Sequence, residues 1–188
     1  MFRDDKTVFR TVTFMILAGA VMRLVPHPWN FTPIAGMALF GGAYFRDRRA
    51  AFGVPLAAML LSDFALAATV YGISGLRGIP AVYMAFALTV LLGRLLARNA
   101  SPLRVGSAAV VSALLFYVVS NFGVWLWSSL YPLTWEGLVS CYVAAIPYLR
   151  NAAVGNLVYS AIFFGGFALA QRRFPTLRED AESTVACP

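Results

Sequence analysis

A chain of 188 residues that is 60% hydrophobic and only 12% charged, with a mean hydropathy of +0.74, departs far from the composition of a water-soluble domain. Its length suits a single membrane domain over 1–188. A net charge of +7, with basic residues set between long apolar runs, fits membrane topology rather than nucleic-acid binding.

The first apolar run, Val8 to Val25, follows basic residues as a signal peptide would. The Pro26-His27-Pro28-Trp29 that ends it is a poor cleavage site, so it reads as a retained helix over about 7–25. After the polar, proline-bounded loop comes a second run, 31–45, built on Ala35, Gly36, Ala38, Gly41, Gly42 and Ala43. At 1.5 Å per residue it reaches roughly 22 Å, which leaves it buried, tilted or incompletely spanning. A third run covers 50–70, with Pro55 in its first turns, and a fourth 79–97, with Pro80 at a helix start where proline is tolerated. The fifth is 104–127, a mixed stretch occupies 131–149, the sixth is 150–171, and 172–188 is a polar tail. No repeat and no low-complexity linker divides the chain. The expected fold is an all-α integral membrane bundle of six transmembrane helices.

Six spans put both termini on one side, and charge says which. Arg3, Lys6, Arg10, Arg46, Arg48, Arg49, Arg94, Arg98, Arg104, Arg172, Arg173 and Arg178 fall on that side, twelve against Arg23, Arg77 and Arg150 on the other. The bias predicts cytoplasmic termini. Trp29, Trp125, Trp127 and Trp135 all fall at the opposite, outer ends, as one interfacial girdle would.

Depth then places the polar residues. Asp63 lies roughly 18 Å from the inner edge of the third span, in its outer half. Tyr83, Asn121 and Asn156 sit near the outer ends of the fourth, fifth and sixth spans, and Arg23, His27, Asn30, Glu136, Tyr142, Arg150 and Asn151 on outer loops or helix ends. The inner half holds the pairs Gly53/Ala57 and Gly166/Ala170, a spacing that suits close helix packing. Polarity above and tight packing below describe an outward-opening cup.

A carboxylate inside a span is costly unless paired or wetted, so Asp63 faces a ligand or pairs with Arg23 or Arg150. His27 is either a loop residue capping a turn or a member of that polar group. Asn121 bonds a neighbouring helix or a ligand. Tyr83 and Tyr142 serve an interfacial belt or a ligand wall. Arg150 opens a helix, where a cation opposes the macrodipole, which suggests an anionic partner. Cys141 reads as a small apolar filler. With Cys187 in the tail it makes no disulfide framework, and no CxxC or Cys/His cluster suggests a metal site. The sequence lacks GxSxG, HExxH, GxGxxG, a Walker loop and a second histidine, so no cofactor or ATP-binding module is expected within it.

The segments RLVPHPWNFTPIAGMALFGGAYF (Arg23–Phe45), LLSD (Leu60–Asp63), SNFGVWL (Ser120–Leu126) and YPLTWEGLVSCYVAAIPYLRNAAVGN (Tyr131–Asn156) resemble a bacterial family of transport-related proteins. That family is related to the substrate-binding S-components of energy-coupling-factor (ECF) vitamin transporters, and the likeness covers roughly residues 10–170. In layout the chain is most similar to the solitary cobalamin-type S-component. There a histidine after the first helix, an acid in the third and an arginine opening the sixth would fall on His27, Asp63 and Arg150. Two departures stand against a full carry-over. The loop Tyr71–Gly78 lacks the cysteine that ligands cobalt in the cobalamin type, and the first span lacks the small residues four apart found where an energising subunit docks.

The resemblance implies a multi-pass protein of the bacterial inner membrane that takes up a vitamin-like small molecule, cobalamin or another corrinoid among the candidates. It would work alone or with an ECF energising module, with the lipid bilayer and the small molecule as its partners and no nucleic acid. Expected substrate contacts are Arg23, His27, Asn30, Asp63, Tyr83, Asn121, Tyr142 and Arg150, with the Pro26–Pro33 loop as a gate. The alternatives are a membrane enzyme acting on a lipid or bound cofactor, with His27 and Asp63 as acid and base, and an assembly subunit that binds no small molecule.

Overall fold

A helix occupies each of the apolar runs in the computed structural model, which describes residues 5–71, 79–174 and 176–177. The helices are α1 (Asp5–Met22), α2 (Ile34–Tyr44), α3 (Arg48–Leu66), α4 (Ile79–Arg94), α5 (Pro102–Trp127), α6 (Trp135–Ala144) and α7 (Ile146–Arg173). α3 runs on into a π-helical turn, Ala67–Tyr71, and the described residues contain no strand. Arg3, Arg77 and Arg178 of the charge tally, Cys187, and positions 72–78 of the cysteine-free loop lie outside the described residues.

Local chemistry explains the boundaries. Asp47 caps α3, its Oδ2 accepting from the Ala50 amide at 2.9 Å. α5 opens with Pro102 in its first turn, where the missing N–H costs nothing. α6, inside the stretch expected only to be mixed, is capped by Thr134 Oγ1, which accepts from the Gly137 amide at 3.2 Å, with Glu136 in the first turn to match the dipole. α7 ends on Arg172 and Arg173, cations at the favourable pole.

The bundle is organised around α2. Every residue from Ala35 to Ala43 is buried, and the helix packs on α1, α3, α4, α5 and α7. Its Phe40 ring meets those of Tyr44, Phe163, Phe164 and Phe167 at centroid distances of 5.0, 5.6, 5.4 and 5.6 Å. This burial is the physical reason why α2 is short: walled off from lipid, it has no bilayer thickness to match. The closest approach is between α2 and α4. A Cβ on Gly42 would stand 2.3 Å from the Val90 carbonyl oxygen, and one on Gly93 would stand 2.5 Å from that of Leu39. Only glycine lets these two backbones touch.

The small-residue pairs singled out in the sequence do not make that contact. Gly53, Ala57 and Gly166 are exposed, and a Cβ on Gly53 would meet nothing within 4 Å. Gly53 and Ala57 face outward, whereas a Cβ on Gly166 would stand 3.6 Å from Met15 Cε and Ala170 packs against the core. Gly42 and Gly93, which do make the contact, lie on different helices.

Contacts distinguish two ends of the bundle. At one, Arg23 after α1 reaches Asp63 late in α3, Asn151 early in α7 donates to the Trp29 carbonyl at 3.1 Å, and Trp125 Nε1 near the end of α5 donates to Pro132 O at 2.9 Å. At the other, Arg94 Nη1 at the end of α4 donates to the Phe45 carbonyl at 2.6 Å, and Lys6, Arg10 and Arg46 gather. These are the aromatic and the basic end. Between them the outward surface is apolar, with Phe14, Leu61, Phe64, Leu91 and Ile162 all exposed. Arg48–Val70, Pro102–Trp127 and Ile146–Arg173 are each long and apolar enough to cross a bilayer. The protein is a membrane protein.

Candidate functional site

The aromatic end holds two polar groupings. The first is an ion-pair cluster. Met59, Ser62 and Asp63 lie at i, i+3 and i+4 and so share one face of α3. Arg23 runs onto that face and is only 8% exposed. Its Nη2 donates to Asp63 Oδ1 at 2.6 Å, and its Nη1 donates to the Met59 carbonyl at 3.2 Å and to Ser62 Oγ. Tyr83 OH, from α4, donates to Asp63 Oδ2 at 2.9 Å. Both carboxylate oxygens are therefore engaged, and of the two candidate arginines Asp63 pairs with Arg23. The cluster ties the start of the proline-bounded loop to α3 and α4.

The second grouping lines a cavity of about 470 Å³ between the Trp29–Asn30 turn, α4, α5, the segment after α5, α6 and the start of α7. Its polar edge is Trp29, Asn30, Ser120, Asn121, Tyr131, Cys141 and Tyr148, set against Val82, Phe116, Val124, Leu130, Ala144 and Ala145. No acidic or basic side chain stands among these lining residues. Asn30 has φ of 62°, a left-handed conformation that asparagine tolerates better than most residues. Asn121 Nδ2 donates to the Tyr117 carbonyl one turn back at 2.8 Å, and Ser120 Oγ to that of Phe116 at 2.6 Å. Those bonds spend the Ser120 hydroxyl proton and one of the two Asn121 amide protons, and leave both side-chain oxygens as acceptors. Cys141, read as a filler, lines the cavity with its Sγ 3.5 Å from the Asn121 carbonyl oxygen, and burial pushes its thiol pKa up.

A smaller cavity of about 70 Å³ shares Asn30 and Phe116 with the first and reaches Thr32, Thr89 and Asn156. The Asn156 amide lies 3.0 Å from Ser112 Oγ, joining α7 to α5. Phe86 and Ala35, both buried, close this side against α4 and α2.

The structure thus brings Arg23, Asp63 and Tyr83 into one cluster, and Asn30 and Asn121 into the cavity. It sets His27, Tyr142 and Arg150 apart from both. His27 is half-buried, with Nδ1 2.5 Å from the Val25 carbonyl oxygen. Tyr142 OH donates to the Val118 carbonyl at 2.6 Å, and Tyr117 OH returns the bond to the Tyr142 carbonyl at 2.6 Å. The two rings meet edge to face at 5.4 Å, a reciprocal clamp of α6 on α5. Arg150 is exposed on α7. Sequence reasoning missed Ser120, Tyr131 and Tyr148 as lining residues. The signal for Ser120 was its place beside Asn121; the two tyrosines had none beyond their nearness to the outer ends.

Residues 3–177 match a family of unknown function (DUF6580). No curated protein and no solved structure matches the chain.

Proposed function

We propose that this chain, which belongs to the DUF6580 family, is a substrate-binding membrane protein for uptake of an uncharged, vitamin-like small molecule, on the plan of the ECF S-components. The observation that carries the reading is the cavity of about 470 Å³ at the aromatic end. Its size suits a small-molecule site, and so does a wall of amides, hydroxyls and aromatic rings over an apolar base. A charged guest would lose hydration there without gaining a counter-charge from the wall, a cost of several kcal/mol. The charged residues nearby satisfy one another in the Arg23–Asp63–Tyr83 cluster.

In this reading the chain crosses the bacterial inner membrane six times, through α1, α4 and the three long helices and, inside the bundle, through the short α2. The basic end and both termini are cytoplasmic, and the cavity faces out. Support comes from Lys6, Arg10, Arg46, Arg94 and Arg172 as against the four tryptophans, which keep to the other end. The Pro26–Pro33 loop, which contributes Trp29 and Asn30 to the wall, is the gate. A corrinoid is much broader than the cavity and would enter only with a large displacement of this loop. Acid–base chemistry by His27 and Asp63 gains no support, because Asp63 is held by Arg23 and Tyr83 while His27 turns to the Val25 carbonyl.

The test is thermal unfolding of the detergent-purified protein with ligands supplied as neutral and ionised pairs, such as nicotinamide with nicotinate and riboflavin with its monophosphate. A neutral member should raise the midpoint and its ionised partner should not, and Ala144→Phe, which fills the cavity, should abolish the shift. Stabilisation by ionised members alone would overturn the uncharged-ligand reading. No stabilisation by any vitamin would overturn uptake.

A further inference from the structure

The basic end has a cavity of its own, about 310 Å³, between the start of α1, the end of α2 and the start of α3. Lys6, Arg10 and Arg46 line it with Phe9, Tyr44 and Phe45. The Phe9 and Phe45 rings lie 5.2 Å apart and wall one side, while Arg94 fixes the turn beside it through the Phe45 carbonyl. Asp47 is the one acid among the described lining residues, and its Oδ2 is taken up as the cap of α3. Lys6 and Arg10 continue, along α1, into Phe14, Leu17 and Val21 at helical spacing. All five are exposed, so a pair of cations stands directly at the foot of an apolar stripe.

From this we infer that the basic end binds the phosphate of an anionic phospholipid headgroup, whose acyl chain lies along Phe14, Leu17 and Val21. Two flexible cations converging on one cavity suit a phosphodiester. The aromatic wall accommodates the glycerol region, and the stripe explains why a lipid rather than a free phosphate is the better guest. A zwitterionic lipid lacks the net charge the site answers. The inference rests on the proposed crossing of the bilayer by α1 and not on the reading of the larger cavity.

The experiment is native mass spectrometry of the full chain in a neutral detergent, titrated with phosphatidylglycerol, phosphatidylcholine or inorganic phosphate. The wild type should bind phosphatidylglycerol at concentrations where the other two leave no adduct. The Lys6→Gln/Arg10→Gln variant should bind it about 25-fold more weakly, at about fivefold per cation removed. Arg104→Gln, at the same end of the bundle but outside the cavity, should bind as the wild type does. Equal binding of the two lipids overturns the proposal, and so does an equal loss in Arg104→Gln, which would mean diffuse attraction. Displacement of the lipid by equimolar phosphate would mean a site for the free ion. Should the double variant not fold, the wild-type preference among the three probes decides alone. Loss of the vitamin shift with this preference intact would sink only the uptake reading.

Discussion

Arg23 is the residue on which most depends locally, because an arginine only 8% exposed tolerates no loss of its counter-charge. Asp63→Ala should destabilise the protein by about 3–5 kcal/mol, the cost of leaving a buried charge unpaired. The double replacement Arg23→Met/Asp63→Leu should recover most of it, because the pair as a whole is worth little against apolar packing. Tyr83→Phe, which removes a bond to the carboxylate, should cost about 1.5–3 kcal/mol. Chemical denaturation in detergent measures all three. If Asp63→Ala instead kept its stability and lost ligand, Asp63 would be a contact rather than a strut.

At the scale of elements, the contact of α2 with α4 is the least forgiving. Gly42→Ala and Gly93→Ala each drive a methyl into a carbonyl oxygen of the opposing backbone, so either should cost about 1–3 kcal/mol or more. Gly53→Ala meets open space on α3 and should stabilise by about 0.5–1 kcal/mol through helix propensity alone. Unfolding midpoints should therefore move in opposite directions. A fall for Gly53→Ala would mean that this face is packed against something. The contrast also shows where the sequence was readable. The Gly53/Ala57 spacing is visible within one helix, but facing outward it packs nothing in the bundle. Gly42 and Gly93 share no local pattern, so their meeting needed the fold. α6 was legible only as part of a mixed stretch over 131–149, because its ten residues are too few to show a period.

For the whole molecule, the apolar runs and their flanking charges announced the helices, since burial in lipid demands long apolar segments with satisfied backbones. The gathering of tryptophans at one end followed from the same reasoning. The cavity was less legible: of the expected contacts only Asn30 and Asn121 line it, because the wall is assembled from six segments whose faces are set by packing. The proposed topology makes its own prediction. In a variant with both native cysteines replaced by serine, Leu133→Cys at the aromatic end should react with a membrane-impermeant maleimide in intact cells. Asn99→Cys at the basic end should react only after permeabilisation. The reverse pattern would invert the protein in the membrane.

The central claim is that the aromatic-end cavity holds an uncharged small molecule. It is tested most directly by native mass spectrometry of the protein purified from cells grown on a mixture of vitamins, alongside Ala144→Phe prepared identically. The account predicts a single co-purifying compound, neutral at pH 7, present on the wild type and missing from the variant. A compound that carries net charge, or one retained in full when the cavity is filled, would contradict it.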